Sequence, residues 1–129
     1  MALASHIAFS RQGLESLAGN LNSISAIEAA LRTLAVRYPV WLAVTDGGNG
    51  VYVLERGEFI HQPAAVVEVV DTPGAGDVWH GAFIYWLGCG KSAMEAVRFA
   101  SAAATLKCSR PGGGRSCPDL TEVPGFLKL

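Results

Sequence analysis

The sequence predicts an α/β layered fold, and three observations carry that reading. Val40–Val44 is an almost uniformly apolar run of the kind found in a parallel strand covered on both faces. Strand-like and helix-like stretches follow one another as strand, helix, strand, hairpin, strand and then several helices. Two glycine-rich turns come directly after β-type runs, at the strand ends where ligands collect in such folds.

Taken in order, His6–Phe9 is a short apolar run that reads as a buried strand, and Ser10 is placed to cap a helix ending at Gly19. Ser25-Ala26-Ile27-Glu28 has the form of a capping box. Ile27, Ala30, Leu31, Leu34 and Tyr38 then recur at helical spacing, and Pro39 closes the helix. After the Val40 strand, Thr45-Asp46-Gly47-Gly48-Asn49-Gly50 breaks the chain sharply. Val51–Leu54, the Arg56-Gly57 turn and Phe59–His61 read as a β-hairpin. Val66–Val70 is a further β-branched run, expected as a strand. A helix is expected from about Ala75 through Phe83, Trp86 and Leu87 to Gly88. A second capping box, Ser92-Ala93-Met94-Glu95, opens an alanine-rich helix running to Lys107. Pro111–Gly114 is expected as a flexible loop, and Asp119–Leu127 as a short last helix interrupted near Pro124. The first strand and the Val40 strand are each expected to have an open second edge.

Composition narrows the class. The 129 residues suit a single domain, 1–129, with one hydrophobic core. Half are hydrophobic and 16% are charged, which excludes a disordered chain. The mean hydropathy of +0.31 points to apolar surface meant to meet another protein surface. A net charge of −1, without any basic block, argues against a nucleic-acid partner. Cys89, Cys108 and Cys117 have no zinc-like spacing and read as reduced thiols. The most apolar stretch, Ala82–Cys89, is too short to span a bilayer, so no membrane role and a cytoplasmic location are expected.

The stretch with most chemical promise is Asp71-Thr72-Pro73-Gly74-Ala75-Gly76-Asp77. A helix start leaves backbone N–H groups without intrahelical partners, and the macrodipole adds partial positive charge there. Gly74 and Gly76 let those amides approach an anion, and Asp77 sets a carboxylate beside it. By itself the motif is equally a tight strand-to-helix turn with Asp77 as a capping acid. It fits neither a Walker A loop nor a dinucleotide fingerprint. Gly47–Gly50 alone is equally a hairpin turn.

The two turns in this order are more specific. Asp71-Thr72-Pro73-Gly74-Ala75-Gly76-Asp77, followed by Val78-Trp79-His80-Gly81-Ala82-Phe83, resembles the signature of the ribokinase (phosphofructokinase-B) family of carbohydrate kinases. Thr45, Gly47 and Gly50 match the family's upstream Thr-x-Gly-x-x-Gly turn, and the helix from Phe99 to Cys108 fits its adenine-side segment. The resemblance covers essentially the whole chain but only the C-terminal portion of a family member. It implies a partial three-layer α/β/α fold, with the N-terminal half and its sugar-binding residues missing. It also implies ATP-dependent phosphorylation of a sugar hydroxymethyl group. Asp77 would be the catalytic base, and the amides of Gly74, Ala75 and Gly76 the anion hole. Thr45, Gly47, Gly50 and Ser101 would hold ATP with its Mg²⁺. Asp71, with the backbone around Pro73, matches a monovalent-cation (K⁺) site of some members. Lys107-Cys108 is most similar to ketohexokinase-like and sulfofructose-kinase-like members.

Two departures stand out. The family's Asn-x-x-Glu motif, linked to magnesium and phosphate, is replaced by Ser10-Arg11-Gln12-Gly13, and Trp79 replaces the usual phenylalanine. His6, His61 and His80 show no metal-ligand spacing and read as structural or surface residues. Three functions therefore stand side by side. The first is a sugar kinase using ATP and a small sugar; the second is a truncated nucleotide-binding fragment without activity. The third is a module that forms a homo-oligomer or completes its sheet with another chain.

Overall fold

The structure, a computed structural model, describes residues 4–112, 117–119 and 121–127. Two compact units, Met1–Pro63 and Ala64–Leu129, lie inside the stretch that the sequence reads as one domain.

The first unit is a mixed four-stranded sheet with two helices. Strands β1 (His6–Ser10), β2 (Trp41–Thr45), β3 (Val51–Glu55) and β4 (Glu58–Gln62) are ordered β1-β2-β3-β4. β1 and β2 run parallel with His6 opposite Trp41, and the other two pairings are antiparallel. The β1–β2 crossover is made by α1 (Arg11–Ala18) and α2 (Ile24–Arg37), as parallel strands require. β2 is thus an interior strand, paired on both sides, which corrects the expectation of an open edge there. The open edges among the described strands are the outer sides of β1 and β4.

Local chemistry explains most of these bounds. Ser10 Oγ accepts from the Gly13 amide and starts α1, which stops at Gly19 with its φ of 81°. α2 is capped by Ser23, whose Oγ accepts from the Ala26 amide, and not by Ser25. Ser25 is already inside the helix, whereas Ser23 stands before it with the extended backbone that a cap needs. At the hairpin, Arg56 and Gly57 both take positive φ, 50° and 81°, as a two-residue turn matched to strand twist demands. Leu14, Ile27 and Leu31 from the helices meet Leu42, Val44, Tyr52 and Leu54 of the sheet in one core. Ala43, on the other face of β2, is fully buried too, as the uniformly apolar Val40–Val44 run anticipates, and so is Val53 of β3.

The second unit contains α3 (Ala75–Gly88), α4 (Ala93–Cys108) and the short α5 (Glu122–Phe126). Ser92 Oγ caps α4 through the Glu95 amide, as its capping box indicates. Phe99, Ala102, Ala103 and Val123 form the core, with Val78, Ala82, Trp86 and Phe126 packed on it. The small residues of α4 let it lie close along α3.

The Val66–Val70 run is not a strand, contrary to expectation. β-branched residues favour strands by packing on a pleated neighbour, and these have none: Val66 is 101% exposed. The segment is instead tied to the end of α4, where the Cys108 carbonyl accepts from the amides of Val70 (2.8 Å) and Asp71 (3.2 Å). Of the expected 111–114 loop, Gly113 and Gly114 lie outside the described residues. The last helix is shorter than the expected 119–127.

Candidate functional site

The glycine-rich stretch forms a tight turn feeding α3. Thr72-Pro73-Gly74-Ala75 is a type II β-turn, with the Ala75 amide donating to the Thr72 carbonyl (3.1 Å). Pro73 supplies the fixed φ of the second position. Gly74 (φ 84°, ψ −1°) supplies the left-handed third and is also the residue preceding α3. The Ala75 amide is therefore drawn into the turn. Helix geometry leaves the amides of Gly76 and Asp77 without an intrahelical partner, and both residues are exposed. Asp77 lies in the first turn of α3, at the positive end of the helix dipole. The same carboxylate borders a cleft of about 270 Å³ lined by Tyr85, Trp86, Ala103, Pro118 and Asp119. His80, one turn on, is held by Nδ1 against the Gly76 carbonyl (2.7 Å).

Gly74→Ala is expected to lower stability by about 1–2 kcal/mol, the cost of a left-handed L-residue. An added Cβ would stand 3.8 Å from Lys107 Cε, an ordinary contact, so the backbone strain decides the outcome. Calorimetric melting of the variant checks this.

Ser101 lies on α4, and its hydroxyl accepts from the indole Nε1 of Trp79 at 3.1 Å. Trp79 is 3% exposed and stacks on Phe83, so the exchange of phenylalanine for tryptophan adds a polar tie between α3 and α4. Asp71 meets Lys107, a pairing that sequence reasoning missed. The Lys107 ammonium donates to the Asp71 carbonyl (3.1 Å) and lies 3.8 Å from its Oδ2. The only sequence signal was a lysine in an otherwise alanine-rich helix.

In the first unit, Thr45 ends β2 and its hydroxyl reaches the Phe9 carbonyl (3.4 Å). The following turn contains a single 3₁₀ turn, Gly47–Asn49, closed by Asp46 N–H to Gly50 O (2.8 Å). Gly47 (φ 51°) and Gly50 (φ 93°) both need the left-handed region. The Arg11 guanidinium bridges to both carboxylate oxygens of Asp46 (3.3 and 3.2 Å) and to Glu15, which raises its own pKa. Arg11 belongs to the Ser10–Gly13 segment, so the exchanged motif supplies a cation that organises this turn. Thr45, Gly47 and Gly50 belong to one unit, and Asp71, Gly74–Asp77 and Ser101 to the other.

Near the end of the second unit, Arg110 makes a bidentate pair with Glu122 (3.0 and 3.1 Å). Asp119 Oδ1 accepts from the hydroxyl and amide of Thr121 and the amide of Glu122. Both carboxyls are held below their ordinary pKa, Asp119 mainly by the Thr121 hydroxyl and Glu122 mainly by Arg110. A carboxyl with a depressed folded pKa stabilises the fold above its unfolded value, and the contribution is lost as pH falls through the folded one. The α5 region is therefore expected to loosen only well into acid. Carboxyl NMR titration should give midpoints below the ordinary ~4 for both groups, and Arg110→Ala should move that of Glu122 upward.

The first unit is thus a mixed α/β sheet, and the second carries a glycine turn that presents amides and a carboxylate at a helix start, the arrangement that suits an anion. The chain belongs to the pfkB family of carbohydrate kinases, whose family description matches residues 1–120. It is 37% identical over 100 residues to the ribokinase of Lactococcus lactis, covering 77% of this chain and 33% of that protein. The Arabidopsis thaliana ribokinase, solved with ribose and ATP, is 31% identical and superposes with a TM-score of 0.88 over 99% of this chain and 42% of its own. A structure titled as a ribokinase II of E. coli, in complex with ATP and Mg²⁺, is 26% identical with a TM-score of 0.79, covering 98% of this chain and 40% of that one. The chain thus has the ribokinase-like α/β fold and spans about a third to two fifths of these relatives. Similarity to ribokinases does not support the expected ketohexokinase or sulfofructose-kinase flavour. The matches establish the family and the share covered, and do not establish placement in the C-terminal portion.

Proposed function

We propose that this chain supplies the anion hole, catalytic base and nucleotide site of an ATP-dependent kinase that phosphorylates a sugar hydroxymethyl group. The observation that carries this reading is the placement of Asp77. Its carboxylate stands in the first turn of α3, among amides that the Pro73–Gly74 turn leaves facing solvent. Phosphoryl transfer needs charge stabilisation and a positioned acceptor for the hydroxyl proton, with little further covalent chemistry from the protein. Asp77 takes the proton of the sugar hydroxymethyl group. The anion hole is drawn from the Gly74–Gly76 stretch, with the amides of Gly76 and Asp77 as its free donors and the Ala75 amide holding the turn closed. Thr45, Gly47 and Gly50 are assigned to the nucleotide by the family resemblance, and the exposed backbone at Gly47 and Gly48, where a Cβ would meet nothing within 4 Å, leaves room for it. Ser101 is assigned to its adenine side.

Mg²⁺ would travel with the oxygens of the nucleotide. Among the described residues no cluster of three or more His, Cys, Asp or Glu would hold a metal alone. No described helix is long and apolar enough to cross a membrane, and a cytoplasmic kinase is the corresponding proposal.

Calorimetric titration with ATP, followed by assay against a panel of pentoses and ketoses, tests the reading. Binding with turnover supports it. Binding without turnover on any sugar favours a nucleotide-binding fragment. One observation favours the interaction module as a second reading: the outer edge of β1 has no strand partner among the described residues. Light scattering that shows only monomer, without hydrophobic-dye binding, would remove it.

A further inference from the structure

We propose that the Lys107 ammonium is the resident cation of the Asp71–Gly74 turn, standing where the resemblance places a monovalent metal ion, so that this site takes no K⁺. The side chain of Lys107 is fully buried although it ends in a charge. Such a group persists inside a protein only where oxygens compensate it. Its ammonium donates to the Asp71 main-chain oxygen at 3.1 Å and lies 3.8 Å from the Asp71 carboxylate. Its Cε passes 3.8 Å from the place a Cβ on Gly74 would occupy, so the stem runs directly against the turn that opens α3.

A carbonyl and a carboxylate are the hard oxygen donors that a small metal cation would also use. A second monovalent cation on the same oxygens would face the ammonium at close range in a partly desolvated site, where repulsion is strongest. The residues therefore do not fit K⁺ while Lys107 is in place. The next residue completes the grip. The Cys108 carbonyl accepts from the amides of Val70 and Asp71, so two consecutive residues at the end of α4 hold the entry to the turn. Lys107 is a positioning residue, acting on the Asp77 cradle through Asp71 and Gly74. The consequence for catalysis rests on the kinase reading, whereas the geometry of the clamp does not.

The test is a comparison of cations at equal ionic strength, K⁺ against tetramethylammonium, which is too large for the site. The wild-type chain is expected to melt at the same temperature in both. A cation bound at about ten times its Kd would raise melting by about 5 °C, so a K⁺-selective rise in the wild type overturns the proposal. Lys107→Ala opens room for an ion beside Asp71 and is expected to melt several degrees higher in K⁺ than in tetramethylammonium. Lys107→Met fills the space without charge and is expected to melt low in both salts. A folded Lys107→Ala chain indifferent to K⁺ also overturns the proposal, and if that variant does not fold, the wild-type comparison decides. ATP titration of the wild type in the two salts separates the readings. Equal affinity supports the resident cation, and affinity that falls in tetramethylammonium refutes it. If ATP does not bind in either salt, the kinase reading fails while the melting comparison still judges Lys107.

Discussion

Asp77→Asn is expected to cut sugar phosphorylation by about 10²–10⁴-fold while leaving ATP affinity nearly unchanged. At about 1.4 kcal/mol per decade, that is roughly 3–5 kcal/mol of transition-state stabilisation. The same substitution removes a negative charge from the first turn of α3, which costs about 0.3–1 kcal/mol of fold stability. The two magnitudes separate the competing roles of the residue. A base shows a large kinetic loss with a small change in melting, whereas a capping acid shows only the small change. Asp77 is exposed and holds no part of the core, so the variant should fold. Initial-rate kinetics beside a thermal melt check both numbers, and activity within a few-fold of wild type would reduce the Asp71–Asp77 stretch to a structural turn.

Leu31→Ala is expected to destabilise the first unit by about 2–5 kcal/mol through lost burial and the cavity left behind. Leu31 is 0% exposed and is the point where α2 presses on Leu42, Val44 and Leu54. Against a typical total of about 5–15 kcal/mol this is a large share, and melting should fall by more than about 8 °C. Val36, five residues along the same helix and 88% exposed, is the internal control. Val36→Ala should stay within about 0.5 kcal/mol of wild type. A Val36 effect as large as that of Leu31 would mean that the exposed face of α2 is covered in solution.

Both residues illustrate how much the sequence carried. The Ile27–Leu31–Leu34 spacing named the buried face of α2 because a 3.6-residue period leaves only one stripe for the core. The strands, the hairpin and the helices α3 and α4 were legible for similar local reasons. Glycines at 47, 50 and 74 were equally legible, since their positive φ is a demand on the backbone that few other residues meet. Where reading failed, backbone conformation or a partner elsewhere in the chain decided. Ser23 and Ser25 are both plausible caps by type, and only the backbone conformation chose between them. Val66–Val70 has strand chemistry, but a strand exists only when a neighbour pairs with it.

By itself, then, the sequence determined the class of fold, the two glycine turns and the carboxylate at the start of α3. Each of these depends on interactions spanning a few residues, which spacing and residue type express directly. Tertiary structure alone decided that β2 is interior and that the Ser101 hydroxyl accepts from Trp79. It alone also set the Lys107 ammonium against Asp71, 36 residues away. A lysine in an alanine-rich helix says nothing of where its charge will end. That is settled when folding removes the ammonium from water and the Asp71 oxygens become its available partners.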